Sequence, residues 1–275
     1  MSWVTLDQAP VLDVRPLLVE ERAELLRLLQ GLSSEEWERA TAAPGWSVKD
    51  VALHLLDDDL GWLSRGRDGD PSGRLAMEDH AGFADALAAK NQRWIDGARG
   101  LSLRVVAELL EWTGRQMDAY YDSMDLHGEG RVSWAGDGPV PLWFDIAQDL
   151  TERWVHQMQM REAVGRVEGY AQRYLPTVLR TFVWALPHQF RVESPIGTTV
   201  QIDLASGGVW TLTCEGDARW NLHEGVAAGP AATATFDDAA GWRWLTGAPV
   251  PASGVKLAGR PALLEPLQGI RGIVA

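Results

Sequence analysis

Near residue 190 the spacing of the apolar residues changes period, and one layer of structure cannot satisfy both patterns. Before that point apolar residues return every three to four positions. After it they alternate. Thr198-Thr199-Val200-Gln201-Ile202-Asp203-Leu204 has a period of two, Ser206-Gly207-Gly208 is turn material, and Val209-Trp210-Thr211-Leu212-Thr213-Cys214 resumes the alternation. Arg219 to His223 and Ala231 to Phe236 read as two further strands. A helix from Asp238 to Thr246, a short strand from Val255 to Ala258 and a helix from Pro261 to Gln268 complete the chain. A length of 275 residues accommodates two modest domains. The fold class is therefore mainly α with an α+β C-terminal domain: a helical bundle over about 1–190 and a small α+β domain over about 191–275.

Within the first part, residues 1–13 read as irregular. Leu17, Leu18, Leu25, Leu28 and Leu29 mark a helix from Val14 to Gln30, stopped by Gly31. Ser33 and Glu36 are spaced as a capping box for a short helical turn. The turn Ala43-Pro44-Gly45-Trp46 leads to Ser47, an N-cap with Asp50 three residues on. The helix opened there carries His54 and ends between Gly61 and Gly66, and Arg67 to His80 reads as a polar loop. Two more helices follow, from Ala81 to Gly97 and from the cap Ser102 to Met124. A glycine-rich connection, Gly128 to Pro141, precedes the apolar-periodic run from Leu142 to Val164, and a helix from Ala171 to Leu186 contains Pro176. Four long helices joined this way favour an antiparallel bundle.

Charge and cysteine usage narrow the function. A net charge of −13 supplies no basic stripe for a polyanion and disfavours anionic membrane surfaces, so neither nucleic acid nor membrane is an expected partner. One cysteine, Cys214, allows no internal disulfide, and Met1-Ser2-Trp3-Val4-Thr5-Leu6-Asp7 lacks a signal peptide's basic and apolar regions. A cytoplasmic location is the expectation. Cys214 alternates on a strand and reads as packed rather than nucleophilic. The 14 tryptophans read mostly as core filling.

The chemistry concentrates in two stretches. Glu152 and His156 lie four apart on one helix, so their side chains project from one face, one turn apart. Such a pair is common on ordinary helices. His54, on a second helix of the bundle, supplies the third member of a two-histidine, one-carboxylate set. Three protein ligands leave one position open, as in a catalytic metal site; zinc suits them first, with Fe(II), Mn and Ni as other fits. One carboxylate leaves the site net positive, which favours a deprotonated water or thiol. Asp145 and Asp149 share roughly that helix face, where either could orient a ligand; Asp145 reads rather as an exposed acid. The run Asp57-Asp58-Asp59 reads as mostly solvated, with Asp57 and Asp58 nearest His54.

Pro44-Gly45-Trp46-Ser47-Val48-Lys49-Asp50-Val51-Ala52-Leu53-His54 resembles the P-G-W-S-V-x-D-V-x-x-H segment of the mycothiol-dependent maleylpyruvate isomerase family, a branch of DinB-like metal-binding four-helix bundles. Thr151-Glu152-Arg153-Trp154-Val155-His156, through Arg161-Glu162-Ala163-Val164-Gly165, is similar to that family's second motif, E-x-W-x-H-x-x-D-x-R-x-A-x-G. Asn91-Gln92-Arg93-Trp94 resembles a recurrent piece of its third helix. The C-terminal part resembles the small sterol-carrier-like α+β domain of many members.

The resemblance implies an actinobacterial enzyme in which His54, Glu152 and His156 bind zinc, and the zinc activates the thiol of mycothiol, a low-molecular-weight cosubstrate, for attack on a small electrophile. It makes Arg93 a candidate anion contact for that thiol, and Trp46 and Trp154 candidate walls of its pocket. Two departures stand out. Gln159 occupies a position that is usually acidic. Leu245-Thr246-Gly247-Ala248 ends in alanine where many relatives carry an arginine suited to a dicarboxylate. The reading is therefore thiol transfer or exchange, with cis–trans isomerisation of the maleylpyruvate type as its alternative. A metal-dependent hydrolase and a non-enzymatic lipid- or small-molecule-binding protein stand outside the thiol reading. Either a monomer or a homodimer is compatible with all of these.

Overall fold

Three helices start on the caps named above. The hydroxyl of Ser33 accepts from the Glu36 amide and that of Ser47 from the Asp50 amide, each with the reciprocal carboxylate bond; Ser102 accepts from the Val105 amide. The computed structural model describes residues 2–3, 6–72, 80–136 and 138–272. The helices are α1 (Arg15–Gln30), α2 (Ser34–Trp37), α3 (Val48–Gly61), α4 (His80–Ala98), α5 (Leu103–Asp122), α6 (Leu142–Val164), α7 (Tyr170–Phe182), α8 (Ala185–Gln189), α9 (Asp238–Thr246) and α10 (Pro261–Leu264). The strands are β1 (Ser2–Trp3), β2 (Glu129–Val132), β3 (Pro139–Pro141), β4 (Thr199–Leu204), β5 (Gly208–Gly216), β6 (Arg219–Glu224), β7 (Ala232–Phe236) and β8 (Val255–Gly259).

Several elements depart from expectation. Residues 1–13 are not wholly irregular, because Ser2 and Trp3 pair antiparallel with His223 and Leu222. Two residues are too few to show a period. The glycine-rich connection contains an antiparallel pair, β2 with β3. The helix expected over 171–186 is two helices, α7 and α8. Pro187 has no N–H for the Val183 carbonyl and its ring crowds that carbonyl, so the helix cannot run straight through. After α3 the chain makes a π-helical turn, Trp62–Arg67. Of the loop expected between Arg67 and His80, residues 73–79 lie outside the described residues.

The texture changes between Gln189, the end of α8, and Thr199, the start of β4. The compact units are interleaved along the chain. One contains residues 14–124 and 152–169; the other contains 1–13, 125–151 and 170–275. Helix α6 contributes to both.

In the helical unit α1 packs on α5, and α3 packs on α4 and α5. Leu25, Leu29, Val51, Leu55, Ile95 and Leu110 are among the residues of its apolar core. A charged cluster is buried beside that core. Asp59 is 0 % exposed and takes Arg22 Nη2 at 2.9 Å, Arg153 Nη2 at 2.6 Å and the Thr113 hydroxyl. The expectation that the Asp57-Asp58-Asp59 run is mostly solvated is thus corrected for Asp59. Consecutive helical residues are rotated by about 100°, so three acids in a row cannot share one face. Gly114 makes room for this cluster: a Cβ there would stand 2.9 Å from Arg22 Cγ.

The other unit carries a six-stranded sheet in the order β1-β6-β5-β4-β7-β8, with β4 and β7 parallel and the remaining pairs antiparallel. Val200, Ile202, Leu212, Cys214, Leu222 and Ala234 are buried, as their alternation predicts. Tryptophans fill the remaining volume, with Trp244 stacked on Phe236 at 4.4 Å and Trp220 edge-on to Phe190 at 4.8 Å. Asp145, read as exposed, is buried and forms a two-pronged pair with Arg131 at 2.9–3.1 Å. Gly130 permits this, since a Cβ there would meet Asp145 Cβ at 2.9 Å.

Ser47 gives a first test. Replacing it with Ala removes the acceptor for the Asp50 amide at the start of α3. Stability to urea should fall by about 1 kcal/mol, and an unchanged midpoint would show the cap to be idle.

Candidate functional site

The helical unit holds all three residues expected as ligands, and it brings His156 into contact with His54 and beside Glu152. His54 stands in α3, and Glu152 and His156 in the part of α6 that belongs to the same unit. The two imidazoles meet edge to face, with ring centroids 4.7 Å apart. On α6, Glu152 Oε2 is 3.8 Å from His156 Nε2. On α3, Asp58 Oδ2 is 3.4 Å from His54 Nε2. The same four-residue spacing thus occurs on both helices, and it puts a carboxylate beside each ring. The imidazole side chains are 9 % and 13 % exposed, whereas the Asp58 and Glu152 side chains are 36 % and 34 % exposed. One side of the cluster therefore faces solvent. Asp58 joins the site although its sequence neighbours make it read as part of a solvated run; its spacing of four from His54 was the available signal.

Burial sets the protonation of the rings. Loss of hydration pulls the His54 pKa down to about 4, with Asp57 opposing and Lys90 assisting. His156 is likewise lowered to about 4, by burial and then by His54; its bond to Gln159 and the charge of Asp58 oppose. Both rings are neutral at pH 7, the form that offers a lone pair to a Lewis acid. Between about 4 and 6.5 the unfolded chain binds more protons at these histidines than the folded one. Their contribution to stability is therefore complete above about 6.5 and is lost as the pH falls toward 4. Metal-free protein should lose stability over that window, and replacing both histidines with Gln should flatten the change.

His156 Nδ1 lies 2.9 Å from Gln159 Oε1. His54 Nδ1 is buried and has no hydrogen-bond partner. Trp46 is half-buried, its ring 5.0 Å from that of His54, and its Nε1 donates to Gln92 Oε1 at 3.2 Å. Trp94 Nε1 donates to the Leu53 carbonyl at 2.8 Å, which ties α4 to α3 one residue before His54. These bonds account for two side chains of the Asn91-Gln92-Arg93-Trp94 piece. Arg93 is exposed, and Trp154 is fully enclosed, so its ring reaches no open space. Lys90, which spacing did not single out, pairs with Asp57 at 2.5 Å and adds positive charge near His54.

Among the described residues no three His, Cys, Asp or Glu side chains close on a single point. The donor types nevertheless fit a divalent cation. The cluster offers two neutral imidazoles and two carboxylates, with one carboxylate oxygen beside the Nε2 of each ring, a donor set that suits a divalent cation.

The family model described as the mycothiol maleylpyruvate isomerase N-terminal domain matches residues 18–161, more than half of the chain. Among curated proteins, uncharacterized proteins from two strains of Mycobacterium tuberculosis are each 28 % identical over 169 residues, covering 58 % of this chain and 61 % of their own. The chain thus spans about three-fifths of the length of the curated relatives it matches. Among solved structures, the mycothiol-dependent maleylpyruvate isomerase superposes with a TM-score of 0.56 at 14 % identity, and a histidine-to-alanine mutant of it with 0.56 at 13 %. Each superposition covers 93 % of this chain and 96 % of the other. At such identity the likeness is one of fold: mainly helical, with a C-terminal sheet domain. No described helix is long and apolar enough to cross a membrane. With its first motif ending at His54 and the Glu152-to-His156 part of its second motif both inside the matched region, the chain belongs to the mycothiol maleylpyruvate isomerase N-terminal domain family.

Proposed function

We propose that this protein is a metal-dependent enzyme, zinc being the first choice, that uses the thiol of mycothiol against a small electrophile. The observation that carries the reading is the contact of two neutral imidazoles from α3 and α6, flanked by Asp58 and Glu152 and open to solvent on the carboxylate side. His54, Glu152 and His156 would hold the cation. When bound, such a cation supplies Lewis acidity that brings a thiol of pKa about 8.5 to its nucleophilic thiolate form near neutral pH.

The chain's own residues do the rest. Burial keeps both rings unprotonated, so a proton does not compete for the ligating lone pair. Gln92 and Trp94 hold Trp46 and α3 in place around His54. The half-exposed Asp58 and Glu152 leave the approach to water and small molecules. An attacking thiolate forms a carbon–sulfur bond. In transfer that bond is kept, either by protonation of the adduct or by expulsion of a leaving group. In isomerisation it breaks again after rotation about the former double bond.

Ala248, where an arginine would suit a dicarboxylate, favours transfer or exchange. The fold shared with the mycothiol-dependent maleylpyruvate isomerase supports isomerisation as the second reading. Metal analysis followed by calorimetric titration with mycothiol, cysteine and glutathione tests the proposal. Zinc-loaded protein should bind mycothiol and the metal-free protein should not. Binding of no thiol, together with turnover of an ester in its absence, would replace the thiol reading with that of a hydrolase.

A further inference from the structure

The hydrogen bond on the far side of His156 decides which of its nitrogens can act. We propose that Gln159 is a positioning residue: its amide oxygen holds the His156 proton on Nδ1, and so presents Nε2 as a bare lone pair beside Glu152 and His54. This rests on the reading of His156 as a cation ligand and deepens it.

A neutral imidazole has one N–H and one lone pair, and the partner of one nitrogen fixes the role of the other. Gln159 lies three residues after His156 in α6, on the same helix face, and its Oε1 is 2.9 Å from Nδ1. A carbonyl oxygen can only accept, so Nδ1 must donate. The proton is then committed away from the cluster. On the other side of the ring, Nε2 lies 3.8 Å from Glu152 Oε2, and the His54 ring is in edge contact. With the proton on Nε2 instead, two lone pairs would face each other across 2.9 Å. His54 has no such bond at its own Nδ1, which is buried without a partner. Of the two rings, His156 is the one oriented in advance.

Histidines that bind metals almost always donate their second N–H to an acceptor. Here the acceptor is an amide and not a carboxylate. Gln159 therefore orients the ring without adding negative charge, and the charge of the cluster is left to Glu152 and Asp58.

The test begins on metal-free, 15N-labelled protein at pH 7, where two-bond proton–nitrogen correlations distinguish the two tautomers. The His156 signals are identified by their loss in His156→Gln. Wild-type protein and Gln159→Glu should show the Nδ1–H form. Gln159→Leu, which offers no acceptor, should shift toward Nε2–H. In competition with a chromophoric chelator, zinc affinity should fall about 10–100-fold in Gln159→Leu and return to within a few-fold of wild type in Gln159→Glu. An Nε2–H tautomer in the wild type overturns the proposal, as does Gln159→Leu with both tautomer and zinc affinity unchanged. If Gln159→Leu does not fold, the wild-type spectrum decides. Wild-type protein that shows the Nδ1–H form and binds no zinc would defeat the metal reading while leaving the positioning role of Gln159 standing.

Discussion

Replacing His156 with Ala should strip the protein of zinc and abolish its thiol-dependent turnover. The size of the effect can be bounded. Outer partners of a metal-binding histidine are alone worth about 10–100-fold in affinity, so removing the ligand itself should cost more than about 100-fold. At micromolar protein and stoichiometric zinc, wild type should retain the metal through gel filtration, and the variant should lose it. The fold should survive, because alanine is a good helix former and the ring it replaces is uncharged at pH 7. Circular dichroism and the urea midpoint provide that control. Full zinc content in folded His156→Ala would remove this residue from the ligand set, and the reading built on it would fall.

The largest expected loss of stability lies elsewhere, at Asp59. Its carboxylate is fully buried between Arg22, with 8 % of its side chain exposed, and Arg153, with 4 %. Burial by itself would raise the carboxyl's pKa, but Arg153, Arg22 and the Thr113 hydroxyl outweigh it and hold the group below the usual carboxylate range. Asp59→Ala leaves two enclosed guanidinium groups without their shared anion, a change that typically costs about 3–5 kcal/mol. Asp59→Asn keeps the shape and some hydrogen bonds but not the charge, and should fall between the two. The measurement is the free energy of unfolding in urea, at pH 7 and with metal absent. A loss below about 1 kcal/mol would mean that both arginines find water or other acceptors at little cost. Because Arg153 follows Glu152 in α6, this cluster also holds the site's second helix against α1 and α3.

How much of this could be read beforehand follows from the range of each force. The capped starts at Ser33, Ser47 and Ser102 were legible because a cap acts over three residues. The alternation of β4 and β5 was legible because one face of a sheet is buried and the other is not. The break between α7 and α8 turned on a single proline, and the two-residue β1 on a partner strand far along the chain; neither leaves a period. Asp145 and Asp59, both read as exposed or solvated, are buried because arginines distant in sequence reach them.

At the site the division is sharper. The sequence alone determined that Glu152 and His156 share a helix face and that His54 stands on another helix, since the pitch of a helix is local geometry. Only the tertiary structure decided that the two rings touch, that Asp58 lies beside His54, that Gln159 takes the far nitrogen of His156, and that burial keeps both imidazoles neutral. Those facts depend on which helix faces meet. That choice is made by the whole apolar core together, and no short stretch of residues encodes it.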